Sequence, residues 1–305
     1  MAQPVTIEND AFRIDVWPQF GGKVSSCVDK ADGYELLFNY PAELPDGPLY
    51  DQPYAKGWYA GWDECFPSVG ASRYPGHPYD GIGVPDHGEL WGLPTTSVPA
   101  KGGITTVWHG LRFGYRLTRR VTLDGPSLAA EYSLINLAPF DFKFVWAQHA
   151  LLAMNQDVEL ALKEKPFRFS HDAGGTDIQR PFEWGGETGE LASVRRPGSM
   201  PAGRGWKLFS TDPISAPATV SYPGRGRTLT IEYLPAGLTE TEGPTAGYWG
   251  IWINTGGWAG HRHFAIEPTT GRYDPLDRAA ADRSAGILPG SGRRDWAVRW
   301  TVGPA

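Results

Sequence analysis

The sequence predicts an all-β fold, a large antiparallel β-sandwich, and three observations carry that prediction. Apolar residues occupy alternate positions through Phe113, Tyr115 and Leu117, and again through Leu128, Ala130, Tyr132 and Leu134, with Asp124-Gly125-Pro126 between them. That is the period of a half-buried strand, and the turn makes the pair an antiparallel hairpin. Turn-forming residues are abundant, with 39 glycines and 27 prolines among 305 residues. Helix is scarce: only Leu276 to Ala285, an Ala-rich run between Pro275 and Gly286, lacks β-branched residues and carries helix boundaries. One short helix cannot cover a sheet, so the sheets must bury their apolar faces against each other.

Taken along the chain, the strand candidates begin with Thr6 to Trp17 and Thr105 to His109, followed by the hairpin. Phe142 to Leu151, Trp206 to Ser210, Ala218 to Tyr222 and Thr228 to Tyr233 come next, then Tyr248 to Asn254, His263 to Glu267 and Asp295 to Val302. Turn residues separate nearly all of them. Two stretches, Pro41 to Pro99 and Asp172 to Gly205, read as long loops dense in Gly, Pro and acidic residues, and loops of such length are functional or disordered. Trp58, Trp62, Phe66 and Trp91 in the first argue against disorder. There is no fixed-period repeat and no compositional linker, so residues 1–305 read as a single domain.

Net charge is −6, and no Lys/Arg cluster interleaves with aromatics, which argues against a nucleic-acid partner. The apolar runs around Tyr34 to Tyr40 and Phe142 to Met154 are too short and too broken to span a membrane. Met1 to Asp10 shows no secretory pattern, and the cysteines, Cys27 and Cys65, suit reduced thiols, so a cytoplasmic location is expected. The 13 Trp, 13 Tyr and 13 Phe are more informative. Most serve as core rings in a β protein, yet indole faces also match the C–H face of a pyranose.

Three segments set a titratable residue among polar and aromatic neighbours: Asp86 to Trp91 around His87, Trp146 to Ala150 around His149, and Ile266 to Gly271 around Glu267. Singly they fit an exposed turn, a packed strand histidine and a solvated strand-end carboxylate. Together with Gly21 to Ser26, Asp32 to Leu37, Gly61 to Pro67, Tyr248 to Trp252, Gly256-Gly257, Tyr273-Asp274, Leu288 to Gly290 and Trp296 to Trp300, they resemble the aldose 1-epimerase (galactose mutarotase-like) family. The resemblance spans nearly the whole chain. It implies a supersandwich with an open cleft, a monosaccharide substrate whose α and β anomers interconvert, no cofactor and no catalytic metal; a monomer or homodimer is expected, and the sequence does not choose between them. It carries the base onto Glu267, the acid onto His149 and a second substrate-binding or catalytic histidine onto His87. His149 is followed by Ala150-Leu151 where the galactose branch has Tyr-Phe-Asn, so a galactose preference does not carry over.

The chemistry explains the residue types. Ring opening moves two protons, from O1 to a base and from an acid to the ring oxygen, and reclosure reverses both. Burial or neighbours should raise Glu267 from its free value near 4.3 and keep His149 partly protonated. In a period-two strand His261, His263, Ala265 and Glu267 share one face. A His-x-His pair beside a carboxylate also resembles a metal site, although solvated strand-end histidines explain it without one. Trp62, Trp91 and Trp252 are candidates for stacking on the sugar. Asp63 and Glu64 either accept hydrogen bonds from its hydroxyls or cap a turn, and Arg73 and Asp63 are candidates for a substrate-contacting arginine and aspartate. A phosphorylated or sulfonated sugar would call for Arg73, Arg180, Arg195 or Arg196 in the cleft. A non-catalytic sugar-binding protein on the same fold is the alternative function. A lyase or hydrolase is a third.

Overall fold

Alternating apolar and polar residues fold into two antiparallel sheets that share one core. A computed structural model describes residues 3–40, 50–163, 166–172, 181–186, 189–235 and 247–305. Among these, the main path of an 11-stranded sheet runs in the order Val5–Glu8, Phe12–Trp17, Lys23–Asp29, Trp62–Cys65, Ala147–Ala150, Arg262–Thr269, Tyr248–Thr255, Gly205–Ser210 and Phe167–Asp172. An 8-stranded sheet runs Glu159–Ala161, Ala218–Tyr222, Arg227–Leu234, Arg293–Pro304, Ser127–Asn136, Tyr115–Asp124, Gly103–His109 and Thr96–Ala100. The expected hairpin forms the middle of this second sheet, with Leu123 opposite Leu128 across the turn.

The sheets meet through aromatic pairs. Trp62 of the first stacks on Trp300 of the second at 5.5 Å, and Trp146 meets Trp296 edge-on at 5.0 Å. Buried among them is a polar knot. Glu64 accepts from Trp62 Nε1, Arg119 Nη1, the Tyr132 hydroxyl and Trp146 Nε1, so each of its oxygens has at least one donor.

Several expected boundaries move for local reasons. Thr6 to Trp17 is two strands, because the Asn9 carboxamide oxygen accepts from the backbone N–H of Ala11 and Phe12 and turns the chain between them. Phe142 to Leu151 also divides: Phe142–Phe144 pairs with Gly286–Leu288, and the chain then enters the first sheet at Ala147. The helix covers Leu276–Ala281 and stops four residues early, where Arg283 takes a left-handed φ of 60°. The segment expected as a loop from Pro41 to Pro99 holds the central strand Trp62–Cys65, whose four residues are buried on both faces and so show no polar alternation. Cys27 and Cys65 are buried and unpaired. Among the described residues no helix is long and apolar enough to cross a membrane.

Candidate active site

Strand alternation decides which side chains reach the outer face of the first sheet. On Trp62–Cys65, Trp62 and Glu64 point into the core and Asp63 points out, opposite His149 on the neighbouring strand. On Arg262–Thr269, Phe264 and Ile266 fill the core while His263, Ala265 and Glu267 share the outer face. The register continues that face sideways, Glu267 lying opposite Gly250, and Trp252 opposite both Ala265 and Lys207. Residues more than two hundred positions apart in sequence thus lie on one surface.

Above this surface is a cavity of about 240 Å³ whose wall includes Tyr54, His87, His149, Lys207, Trp252 and His263. The His87 loop is pinned by backbone contacts. Its N–H donates to Val69, and Gly88 lies so close to Phe66 that a Cβ there would fall 2.1 Å from the Phe66 carbonyl oxygen. Only glycine permits that approach, and His87 itself takes a left-handed φ of 59°. Its ring stacks on Tyr54 at 3.8 Å, receives support from Asp86 at 2.9 Å, and meets His149 edge-on at 5.0 Å. Tyr54 in turn donates to Asp63, which also accepts from Lys23 at 2.5 Å.

Glu267 is buried against two residues of the wall. Its Oε2 accepts from Lys207 Nζ at 2.5 Å, while Oε1 lies 3.9 Å from His149 Nε2 and has no hydrogen-bond partner among the described residues. Asp274 flanks Lys207 on the other side at 3.4 Å. Burial raises the Glu267 carboxyl above its ordinary value, against the opposing pull of the Lys207 cation. Burial lowers Lys207, but Asp274 and Glu267 more than offset this and hold it protonated. For His149, burial leads, and the charges of His87, Lys207 and Lys23 add to it, so its pKa falls well below the free value. The expectation that His149 stays partly protonated at neutral pH is corrected here: burial of the ring outweighs the pull of the neighbouring carboxylate, and Lys207, paired with that carboxylate, adds to the downward shift.

The structure brings His149, His87 and Trp252 to the wall of this cavity, with Glu267 beneath His149 and Lys207 and with Asp63 one residue behind. It does not bring the others. Trp62 is wholly buried on Trp300, and Glu64 is wholly buried under Arg119, so neither can meet a sugar; both point to the core because they flank outward Asp63. Trp91 is a buried support, donating to the Asp86 carbonyl and packing edge-on against Tyr54. Arg73 is exposed on a small hairpin, where its guanidinium donates to the Gly81 carbonyl. Arg196 pairs with Glu159 and Arg195 packs on Gly185, both outside the cavity wall, and Arg180 lies outside the described residues. With Asp86 and Asp274 in the wall and Glu267 beneath, the described cavity offers no basic cluster for a phosphate or sulfonate. His261 leaves this surface to stack on Tyr40 at 4.9 Å. Lys207, Tyr54, Trp258 and Asp274 belong to the wall without a role that the sequence assigns, and His263 enters the sequence reading only with His261 as a metal-like pair. The available signal for Lys207 was a lone cation between Trp206 and Leu208, which fill the core face.

No protein-family model matches this sequence, and no curated protein matches it. Solved structures do match. The Slr1438 protein of Synechocystis sp. PCC 6803 superimposes with a TM-score of 0.75 at 16% identity, over 100% of this chain and 97% of that one. A candidate aldose 1-epimerase of Escherichia coli K12 gives 0.71 at 14% identity, over all of both chains. A galactose mutarotase-like protein of Lactobacillus casei gives 0.69 at 18% identity, over 98% of this chain and 100% of that one. The chain therefore has the galactose mutarotase-like fold, as its sequence pattern predicts. At these identities the likeness establishes the fold.

Proposed function

We propose that the protein is an aldose 1-epimerase, interconverting the α and β anomers of a free monosaccharide by acid/base ring opening and reclosure. The observation that carries this reading is Oε1 of Glu267, which has no donor among the described residues and faces Nε2 of His149, a residue of the cavity wall, across 3.9 Å. Among the described residues, oxygens of Asp63, Glu89 and Asp274 also lack a donor, but that of Glu267 is the one facing an imidazole of the cavity wall, and a substrate hydroxyl completes it. Glu267 takes the O1 proton as His149 gives one to the ring oxygen. The C1–O5 bond breaks, the aldehyde forms, rotation about C1–C2 presents its other face, and the same two transfers in reverse close the ring. Lys207 orients the carboxylate through Oε2 and leaves Oε1 for the sugar. His87, held by Asp86 and Tyr54, contacts the sugar from the opposite side of His149.

The competent form has Glu267 ionised and His149 protonated. Since burial raises the first and lowers the second, the rate should follow a bell whose top lies on the acid side of neutrality, with limbs that belong to the coupled pair. Polarimetry on freshly dissolved α-anomers of a panel of aldoses, across pH 4 to 8, tests the proposal. Accelerated mutarotation that disappears in Glu267→Gln is expected. Saturable sugar binding with no acceleration on any aldose would support a sugar-binding protein instead.

A further inference from the structure

We propose that the Nδ1–H of His263, fixed by Trp252, is a specificity-determining donor that recognises a sugar hydroxyl remote from the anomeric carbon. This rests on reading the cavity as an aldose site, and it assigns a residue which that reading does not use.

The tautomer follows from Trp252. An indole N–H can only donate, and Trp252 Nε1 lies 3.1 Å from His263 Nε2, so that nitrogen must present a lone pair and the ring proton sits on Nδ1. Burial, followed by the charge of His261, lowers the His263 pKa to about 3, which keeps the ring in this neutral form at working pH. The ring is fully buried and lines the cavity, and Nδ1 has no partner among the described residues. It has little freedom to seek another: Phe38 packs on its face at 4.5 Å and Trp258 meets it edge-on at 6.3 Å. A buried donor without an acceptor costs stability unless a ligand completes it.

Spacing selects the hydroxyl. His263 and Glu267 share a face four residues apart, roughly 13 Å along the strand. A pyranose spans roughly 5 to 6 Å from O1 to O4, and a hydrogen bond of about 2.8 Å at each end brings the total to roughly 11 Å. One hexose with its anomeric centre at Glu267 thus spans most of that separation, and the lengths of the two side chains supply the rest, which directs its O4 or O6 end toward His263. A neutral, tautomer-locked donor suits a hydroxyl oxygen and gives no charge to an anionic substituent.

The test combines NMR of ¹⁵N-histidine-labelled protein with binding of D-glucose, D-galactose and their 4-deoxy and 6-deoxy analogues. In the free protein His263 should show the Nδ1–H tautomer, and Trp252→Phe should release it to a mixture. At one of the two positions the deoxy analogue should bind about tenfold more weakly than its parent. That penalty should vanish in His263→Phe and return in part in His263→Gln, which restores an N–H donor. Glu267→Gln should keep the penalty while abolishing turnover, which separates failure of this inference from failure of the proposed reaction. An Nε2–H tautomer in the free protein overturns the proposal. So does an unchanged deoxy penalty in His263→Phe, or no measurable binding of either hexose.

Discussion

Glu64 and Glu267 are both fully buried and both lie on the sheet that floors the cavity, yet they face opposite ways. Glu64 points into the inter-sheet core, where four donors cover its two oxygens and Arg119 supplies the charge. Glu267 points outward, where Lys207 holds one oxygen and the other is bare. Burial pushes both carboxyls upward in pKa, so the shift alone does not tell structure from function. Satisfaction together with position does. Glu64 has a donor on each oxygen and holds the core together, whereas Glu267 keeps an oxygen without a donor among the described residues directly behind a residue of the cavity wall.

Substituting each by its isostere is the strongest way to break that comparison. Glu267→Gln should lower the mutarotation rate by about 10² to 10⁴, the range of a lost acid/base group, with a modest change in thermal stability because Lys207 keeps Asp274. Glu64→Gln should do the reverse. It leaves Arg119 without its carboxylate among the described residues, a loss of about 3 to 5 kcal/mol, while the molecules that remain folded keep their rate. Polarimetry and thermal unfolding on both variants decide it, and a stable but inactive Glu64→Gln protein would erase the distinction.

The same contrast explains what could be read in the sequence. Alternation made the hairpin from Tyr115 to Asn136 visible because one face is core and the other is polar, so each residue announces its side. The central strand Trp62–Cys65 carries no such signal, because all four of its residues are buried and the contrast between faces is absent. That is also why the sequence does not separate Trp62 and Glu64 from Asp63: without a visible strand, nothing assigns adjacent residues to opposite faces. Glu267, His149 and His87 stood out only through the combined family pattern. Lys207 and Tyr54 did not, since their roles arise from register and loop packing across distant segments.

Lys207 gives a second, smaller test. Its cation pulls the Glu267 pKa down and the His149 pKa down as well. Lys207→Met removes both effects, so both limbs of the pH–rate bell should move upward and its top should shift to higher pH. The peak rate should drop about tenfold as the carboxylate loses its anchor. A bell that keeps its position, whatever its height, would mean that Lys207 serves packing alone.

The smallest effect separates the two faces by acid sensitivity. His149 and His263 both lie on the outward face and resist protonation when folded. A histidine with a depressed folded pKa contributes stability that is present above its unfolded value near 6.5 and is lost as pH falls toward the folded value. For His263 that window runs from about 6.5 down to about 3. Between pH 6 and 5 the unfolded chain gains a proton at His263 which the folded chain refuses, costing about 1 kcal/mol. Denaturant unfolding at these two pH values should show wild type losing more stability than His263→Phe by about that amount. Equal losses in the two proteins would mean that His263 takes up its proton without unfolding, and that the outward face is more open to water than its burial indicates.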